Sequence, residues 1–475
     1  MTTPNMQWAA RAALGLLLGA ALAVAAGTAL AGAPCATPCA TPCAAGGDEA
    51  CCAGGAARTG FWYGGEWTSS FHYVNSAYFG ADYGITDDAR KSDYNWGESY
   101  ARLRLNYGFE NGVWFSVGGL GALTLGTDYY GVEDDGDAKI DQLLAGLSYM
   151  GNSGLSLAVG RQEIVVGDGF LIGDGYNDGT AALWNIPLNF YDGARVDWKY
   201  GPWHALVFGA KLSPSYTMEV EDPADPASLL TLEPDGTQWG FEVGGKNQAG
   251  QELAVGYFRR DDTGATRLDA QATSIRFALP YSIFTLAGEL AIERGETAAA
   301  RLKGTGGHAS LTAASESGIA PYGQVEYFYF TGDRSSTSAD ESFYPWNYKW
   351  SDWSRYYVGD LVASTLLTNS DARIWKVEAG VTPWENTSFR LLLHQMDLDT
   401  GSSYGGLPEG VDRGFANEYD LVIDQGLGAG WSTWLMGGYV VPRDAAKALV
   451  GSAKSGQIFG GLTFTFGTPG GEEGD

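Results

Sequence analysis

Seven basic side chains sit in short segments whose residues otherwise alternate between apolar and polar: Arg102, Arg104, Arg195, Lys199, Arg276, Lys376 and Arg390. Period-two alternation puts such residues on one face of a β-strand and the apolar set on the other. Fixed cations on a common face attract anions; they do not by themselves catalyse anything. By the same parity, the acids sharing these faces are Asp197, Glu289, Glu293, Glu326 and Glu378. The common face is therefore expected to lean basic. Catalytic signatures are missing: there is no Gly-x-Ser-x-Gly and no His-Glu-x-x-His. The four histidines, His72, His204, His308 and His394, fall in separate segments. No enzyme, cofactor or metal site is expected.

Composition narrows the class. The chain has 475 residues with 69 Gly, 13% aromatic residues, 18% charged residues and a formal net charge of -27. So acidic a chain is a poor nucleic-acid ligand, because phosphate binding needs an excess of Lys and Arg. Its 45% hydrophobic content is too high for a disordered chain. Many Gly and aromatic residues, few charges and short strands are the composition of β-barrels.

The N-terminus sets the compartment. Arg11 precedes an apolar run that closes on Ala29-Leu30-Ala31, the pattern of a secretory signal over residues 1–31. Residues 32–59 read as a disordered periplasmic lead. All five cysteines lie there: Cys35, Cys39, Cys43, Cys51 and Cys52. No His follows in a Cys-x-x-Cys-His pattern, and an odd count in an oxidising space leaves a thiol for another partner. A periplasmic partner through this lead is one expectation.

From Gly60 onward the alternation recurs. Ala101, Leu103, Leu105, Tyr107 and Phe109 alternate with Arg102, Arg104, Asn106 and Gly108, and Glu110-Asn111-Gly112 marks a tight hairpin before the return strand. The same unit predicts about 18 strands between residues 60 and 466, with an acidic tail at 467–475. Connections alternate short and long down the chain. Turns at 110–112, 151–154, 201–202, 247–251, 280–281, 317–320, 383–386 and 425–429 separate loops such as 78–96, 164–187, 213–235 and 333–371. Outer-membrane barrels have short periplasmic turns and long extracellular loops. The fold class is therefore all-β, a transmembrane antiparallel up-and-down barrel in the outer membrane of a Gram-negative bacterium. Its apolar face meets outer-membrane lipid and its basic face a water-filled lumen. Tyr and Trp near strand ends are expected to form interfacial girdles.

Between strands five and six the chain reads Gly160-Arg161-Gln162-Glu163, then Gly167-Asp168-Gly169-Phe170-Leu171-Ile172-Gly173, Trp184-Asn185 and Tyr191-Asp192-Gly193-Ala194-Arg195-Val196. This run resembles the alginate-export family of outer-membrane porins. The resemblance implies a lumen that passes an anionic polysaccharide or related solute. Arg161, Asp192, Arg195 and Asp197 join the pore-lining candidates. Residue parity puts Arg195 in the lumen. Arg161 shares the parity of Leu155, Leu157 and Val159, so either a bulge near Gly160 re-aims it or it sits at the extracellular rim. An ion-pair brace with Asp192 or Glu163 is the structural alternative. The Gly-rich 167–175 run could fold inward as a constriction. Acidic clusters at 134–137 and 174–178 lack the full calcium-loop pattern. The segment 333–357, rich in Trp, Tyr and Asp, could bind sugars or pack on itself.

The expected function is a channel for anionic solutes. The alternatives are a general or differently selective porin sharing only the fold, and a non-conducting surface barrel.

Overall fold

A computed structural model describes residues 59–76, 79, 94–126, 136–148, 154–173, 191–212, 218–222, 225–232, 236–262, 268–297, 300–315, 318–334, 336–346, 362, 367 and 370–467. The signal, the cysteine-bearing lead, nearly all of the acidic tail and the clusters at 174–178 and 134–135 lie outside them.

The strands run β1 Gly60–Asn75, β2 Tyr94–Gly108, β3 Val113–Leu125, β4 Gly136–Ser148, β5 Leu155–Gln162, β6 Tyr191–Tyr200 and β7 Trp203–Leu212. A separate hairpin follows, β8 Met218–Asp222 with β9 Asp225–Leu232. Then come β10 Gly236–Lys246, β11 Glu252–Asp262, β12 Leu268–Tyr281, β13 Phe284–Thr297, β14 Arg301–Leu302, β15 Thr305–Ala314, β16 Tyr322–Phe330 and β17 Ala339–Asp340. The last are β18 Ala372–Trp384, β19 Thr387–Leu398, β20 Gly414–Gly428, β21 Trp431–Pro442 and β22 Ser455–Gly467. Without the β8–β9 hairpin and the two-residue pieces β14 and β17, the wall is an 18-strand closed antiparallel barrel. Closure comes from β1 pairing with β22, from Gly64 opposite Gly467 to Asn75 opposite Gly456. No sheet edge is left to solvate, which is why strands can cross a bilayer. Among the described residues no helix is long and apolar enough to cross a membrane.

Alternation sets the two faces. In β10 buried and exposed residues alternate strictly from Gly236 to Gly244. The exposed set is apolar across the barrel: Leu103, Leu105, Val207, Phe241, Leu290 and Val377 all point outward. In water this band would be a large unfavourable surface; against lipid it is the bilayer-facing girdle. At the short-turn end it finishes in aromatic side chains, among them Tyr107, Phe109, Tyr200, Trp203, Tyr281 and Trp384. Tyr107 and Phe109 meet edge-on, with centroids 4.8 Å apart. At the other end Tyr327 and Trp375 pair at 4.6 Å. These are the interfacial belts expected for a barrel of this class.

The short turns close tightly. At 109–112, Gly112 N donates to Phe109 O at 3.0 Å and Phe109 N to Val113 O at 2.8 Å. The long-loop end is different. Described loop segments such as 163–173 turn back into the barrel, and the buried apolar side chains Trp96, Ile164, Phe170, Phe258, Phe328, Phe343, Met396 and Phe459 gather there. The protein's packed core thus sits inside the barrel toward its extracellular end, not between layers.

Candidate functional site

The segment 163–173, leaving β5, folds into the lumen and is pinned at three points. At its base Glu163 lies 2.9 Å from Arg104 and 3.3 Å from Arg102, both on the inward face of β2. Arg102 is itself paired with Asp141 of β4 at 2.7 Å. In its middle, Gly167 rests on Arg276 of β12. Gly167 has φ +64°, and a Cβ there would lie 2.5 Å from Arg276 Nε. Only glycine lets the backbone approach that guanidinium so closely. At its tip Asp168 reaches His308 Nε2 on β15 at 2.9 Å. In the order of strands around the wall, β2 and β15 lie on opposite sides, so the segment crosses the lumen.

Local chemistry shapes the crossing. Val166 N donates to Ile172 O at 2.9 Å and Gly169 N to Val166 O at 3.1 Å, a turn closed around Gly167 and Gly169. Asp168 Oδ1 caps it by accepting from Phe170 N at 3.1 Å. Phe170 then stacks on Phe343 with centroids 5.7 Å apart and an interplanar angle of 3°. Phe343 belongs to the segment that was expected to bind sugars or pack on itself. Within its described part, residues 343–346 pack inward instead: Tyr344 N donates to Glu293, and Arg260 Nη1 to Trp346 O at 3.3 Å. Burial raises the Asp168 carboxyl, but the charges of His308 and Arg276 and its hydrogen bonds outweigh it. The net effect holds Asp168 below the usual carboxylate range.

From that tip a relay of ion pairs runs along the wall. His308 Nδ1 meets Glu326 at 3.1 Å, Glu326 meets Lys376 at 3.4 Å, and Lys376 meets Glu378 at 3.3 Å. Glu378 accepts from the Tyr322 hydroxyl and stands 4.0 Å from Arg390, which pairs with Asp424 at 2.8 Å. On the same side of the wall, two strands before β15, Arg276 is held between Glu252 at 2.6 Å and Glu242 at 2.9 Å.

The expected lining residues divide as follows. Arg102, Arg104, Arg276, Lys376 and Arg390 all face inward and each is engaged by carboxylates. Arg195 and Asp197 also face inward, since their cross-strand partners Phe208 and Leu206 are buried inside. They pair with each other, Arg195 Nη2 to Asp197 Oδ1 at 2.7 Å. Lys199 is on the same face beside the periplasmic turn and is exposed.

Arg161 and Asp192 depart from the expected lining. Arg161 is opposite Leu143, which is 55% exposed on the outer face, and Asp192 is opposite Lys211, also exposed. The two form a bidentate pair, Nε to Oδ1 and Nη2 to Oδ2, both 2.9 Å. They sit on the outside of the barrel at its extracellular rim. Gly160 does not re-aim Arg161. Its φ of +126° serves a close approach, since a Cβ there would lie 2.0 Å from Leu143 O.

The expected basic excess is not what the described residues show. Besides the five acids anticipated, the inward face carries Asp141, Glu242, Glu252, Asp262, Glu418 and Asp420, and the crossing segment adds Glu163 and Asp168. Only one buried inward cation was unanticipated, Arg260, paired with Asp262 at 2.8 Å. Parity would have found Glu242 and Glu252. It could not find Asp141, which follows a register shift in the β3–β4 pairing.

No family model matches this chain, and no curated protein matches it in sequence. Solved structures do resemble it in fold. Acinetobacter baumannii OccAB4 is 10% identical, with a TM-score of 0.53, over 86% of this chain and 99% of that one. Pseudomonas aeruginosa OccK9 (OpdG) is 12% identical, with a TM-score of 0.54, over 86% and 98%. Pseudomonas aeruginosa OpdK, in a structure with vanillate, is 10% identical, with a TM-score of 0.50, over 86% and 99%. At these identities the likeness is one of fold: this chain has the closed antiparallel barrel fold of those outer-membrane proteins. It does not single out the alginate-export family.

Proposed function

We propose that the protein is a passive channel for small solutes, narrowed by the inward segment 163–173, a porin of its own selectivity that shares the barrel fold. The observation that carries this reading is the crossing itself: a loop clamped to opposite walls divides the lumen. A small molecule can pass beside such a bar, whereas a folded or branched polymer is obstructed. OpdK, a neighbour in fold, has been crystallised with vanillate, a small aromatic carboxylate, which fits a small-solute channel.

Export of an anionic polysaccharide rests on the motif run 160–196 alone. Two of its polar residues, Arg161 and Asp192, are turned to the outside, away from any luminal polymer. Anion preference rests on the seven inward cations. The engagement of six of them by carboxylates, and the further acids around them, favour weak selectivity or a preference for cations.

The test is solute flux into liposomes carrying the purified full-length protein. Swelling with monosaccharides and amino acids, but not with long uronate oligomers, is expected. No swelling and no bilayer conductance would favour a non-conducting barrel, and passage of long oligouronates would restore the export reading.

A further inference from the structure

On the inner wall, away from the crossing segment, β19 and β20 bring His394, Glu418 and Asp420 together. His394 is directly opposite Glu418 in the register, and Asp420 is two residues along, on the same inward face. Side-chain burial is complete for all three, with 0% exposure. His394 Nδ1 stands 3.6 Å from Glu418 Oε1 and 3.4 Å from Asp420 Oδ2, and one donor atom from each residue lies within 4.8 Å of the others. Among the described residues this is the group with such geometry.

Two features distinguish it from the ion pairs elsewhere in the lumen. Neither ring nitrogen of His394 makes a hydrogen bond, and neither carboxylate oxygen of Asp420 makes one. A buried polar group left so is costly, and a buried carboxylate more so. The spacing is too long for hydrogen bonds of good geometry, but it suits atoms that share an ion. Metal–donor bonds of about 2.1 Å at a tetrahedral angle place the donors about 3.4 Å apart. Donor type agrees as well: an imidazole and two carboxylate groups are ligands that a divalent cation takes. The nearest cation in the register, Lys376 opposite His394, is engaged by Glu326 and Glu378.

We propose that His394, Glu418 and Asp420 form a binding site for one divalent transition-metal ion of the Zn²⁺ or Mn²⁺ class, tying β19 to β20 from inside the barrel. The donor set is borderline to hard: imidazole suits zinc and its neighbours, carboxylates suit manganese, and no thiolate is present to favour Cu⁺. Burial makes the ion a brace of the wall, with Met396 two residues from His394 closing one side of the strand. The site does not depend on whether the lumen conducts.

The experiment uses full-length protein folded in detergent, its five thiols alkylated so that the N-terminal lead cannot bind metal. The protein is stripped with chelator while unfolded and refolded with Zn²⁺, Mn²⁺ or Ca²⁺ alone, then desalted. About one equivalent of Zn²⁺ or Mn²⁺ should be retained and the unfolding temperature should rise. Asp420→Asn, which keeps the shape, should lose at least tenfold in retained metal, and His394→Ala with Asp420→Asn should lose it entirely. Refolding with Co²⁺ gives a second reading, since visible d–d bands should appear in the wild type and vanish in Asp420→Asn. Equal retention by the wild type and the folded variant would overturn the site. So would absence of retained metal and of Co²⁺ bands in the wild type, or binding of Ca²⁺ as tight as that of Zn²⁺.

Discussion

Asp168, on the segment that leaves the fifth strand, meets His308 Nε2 on the far wall at 2.9 Å, the charged contact at the tip of the bar across the lumen. The rest of the tip is apolar, Phe170 against Phe343. Asp168→Asn removes the charge but keeps the shape. A hydrogen bond to a charged group contributes about 1.5–3 kcal/mol, so the undocked population should rise about tenfold or more. Single-channel recording should show larger or more frequently fluctuating conductance than in the wild type. An unchanged trace would mean that aromatic packing alone holds the bar.

Acid should release the same contact. The Asp168 carboxyl is held below its ordinary value in the folded protein by His308 and Arg276, against its burial. A depressed carboxylate contributes stability that is fully present above the unfolded value, about 3.9, and is lost as pH falls through the folded value. Docking is therefore complete at neutral pH and weakens only below about pH 4. Wild-type conductance should change between pH 5 and pH 3, whereas Asp168→Asn should lack that component. The facing groups Glu289, Glu326 and His308 are present in both proteins. An identical acid response in the variant would remove Asp168 as its cause.

At the base of the segment, Arg102 joins Asp141 and Glu163 in a site almost without solvent, with side-chain exposures of 6% and 5% for Arg102 and Asp141. Removing one partner of a buried pair strands the other charge and costs about 3–5 kcal/mol, whereas replacing both with apolar residues of similar size is often neutral. Arg102→Met alone should lower the temperature of the folded-to-unfolded gel shift clearly. Arg102→Met with Asp141→Leu should recover much of the loss. No recovery in the double variant would show that Arg102 matters mainly through Glu163.

Period-two alternation carried the wall. Each of the 18 strands of the barrel was legible, because lipid on one side and water on the other impose opposite chemistry on successive residues. It also placed Arg161 with Leu157 and Val159, as the structure has it, against the expectation that Arg161 lines the pore. The crossing segment was legible as a glycine-rich run able to fold inward, but its docking points were not. Nothing periodic links Asp168 to His308 or Phe170 to Phe343, since each pair joins a loop to residues more than a hundred positions away. The luminal acids were undercounted for a simpler reason: Glu418 and Asp420 lie on a strand with no neighbouring base to draw attention to them.

Arg161 and Arg195, both from the same motif run, should behave oppositely when removed. The Arg161–Asp192 pair is on the outer rim and partly exposed, at 30% and 38%. Exposed pairs contribute about 0.2–1 kcal/mol, and this one is separated from the lumen by the wall. Arg161→Ala should leave the reversal potential across a salt gradient unchanged. Arg195 faces the lumen, and its loss frees the charge of Asp197, 2.7 Å away, toward the passing ions. Arg195→Ala should shift selectivity toward cations. The measurement belongs near 0.1 M salt, where the screening length is about 10 Å; at 1 M it falls to about 3 Å and the difference should shrink. A shift on removing Arg161, or none on removing Arg195, would reverse the assignment of the two faces.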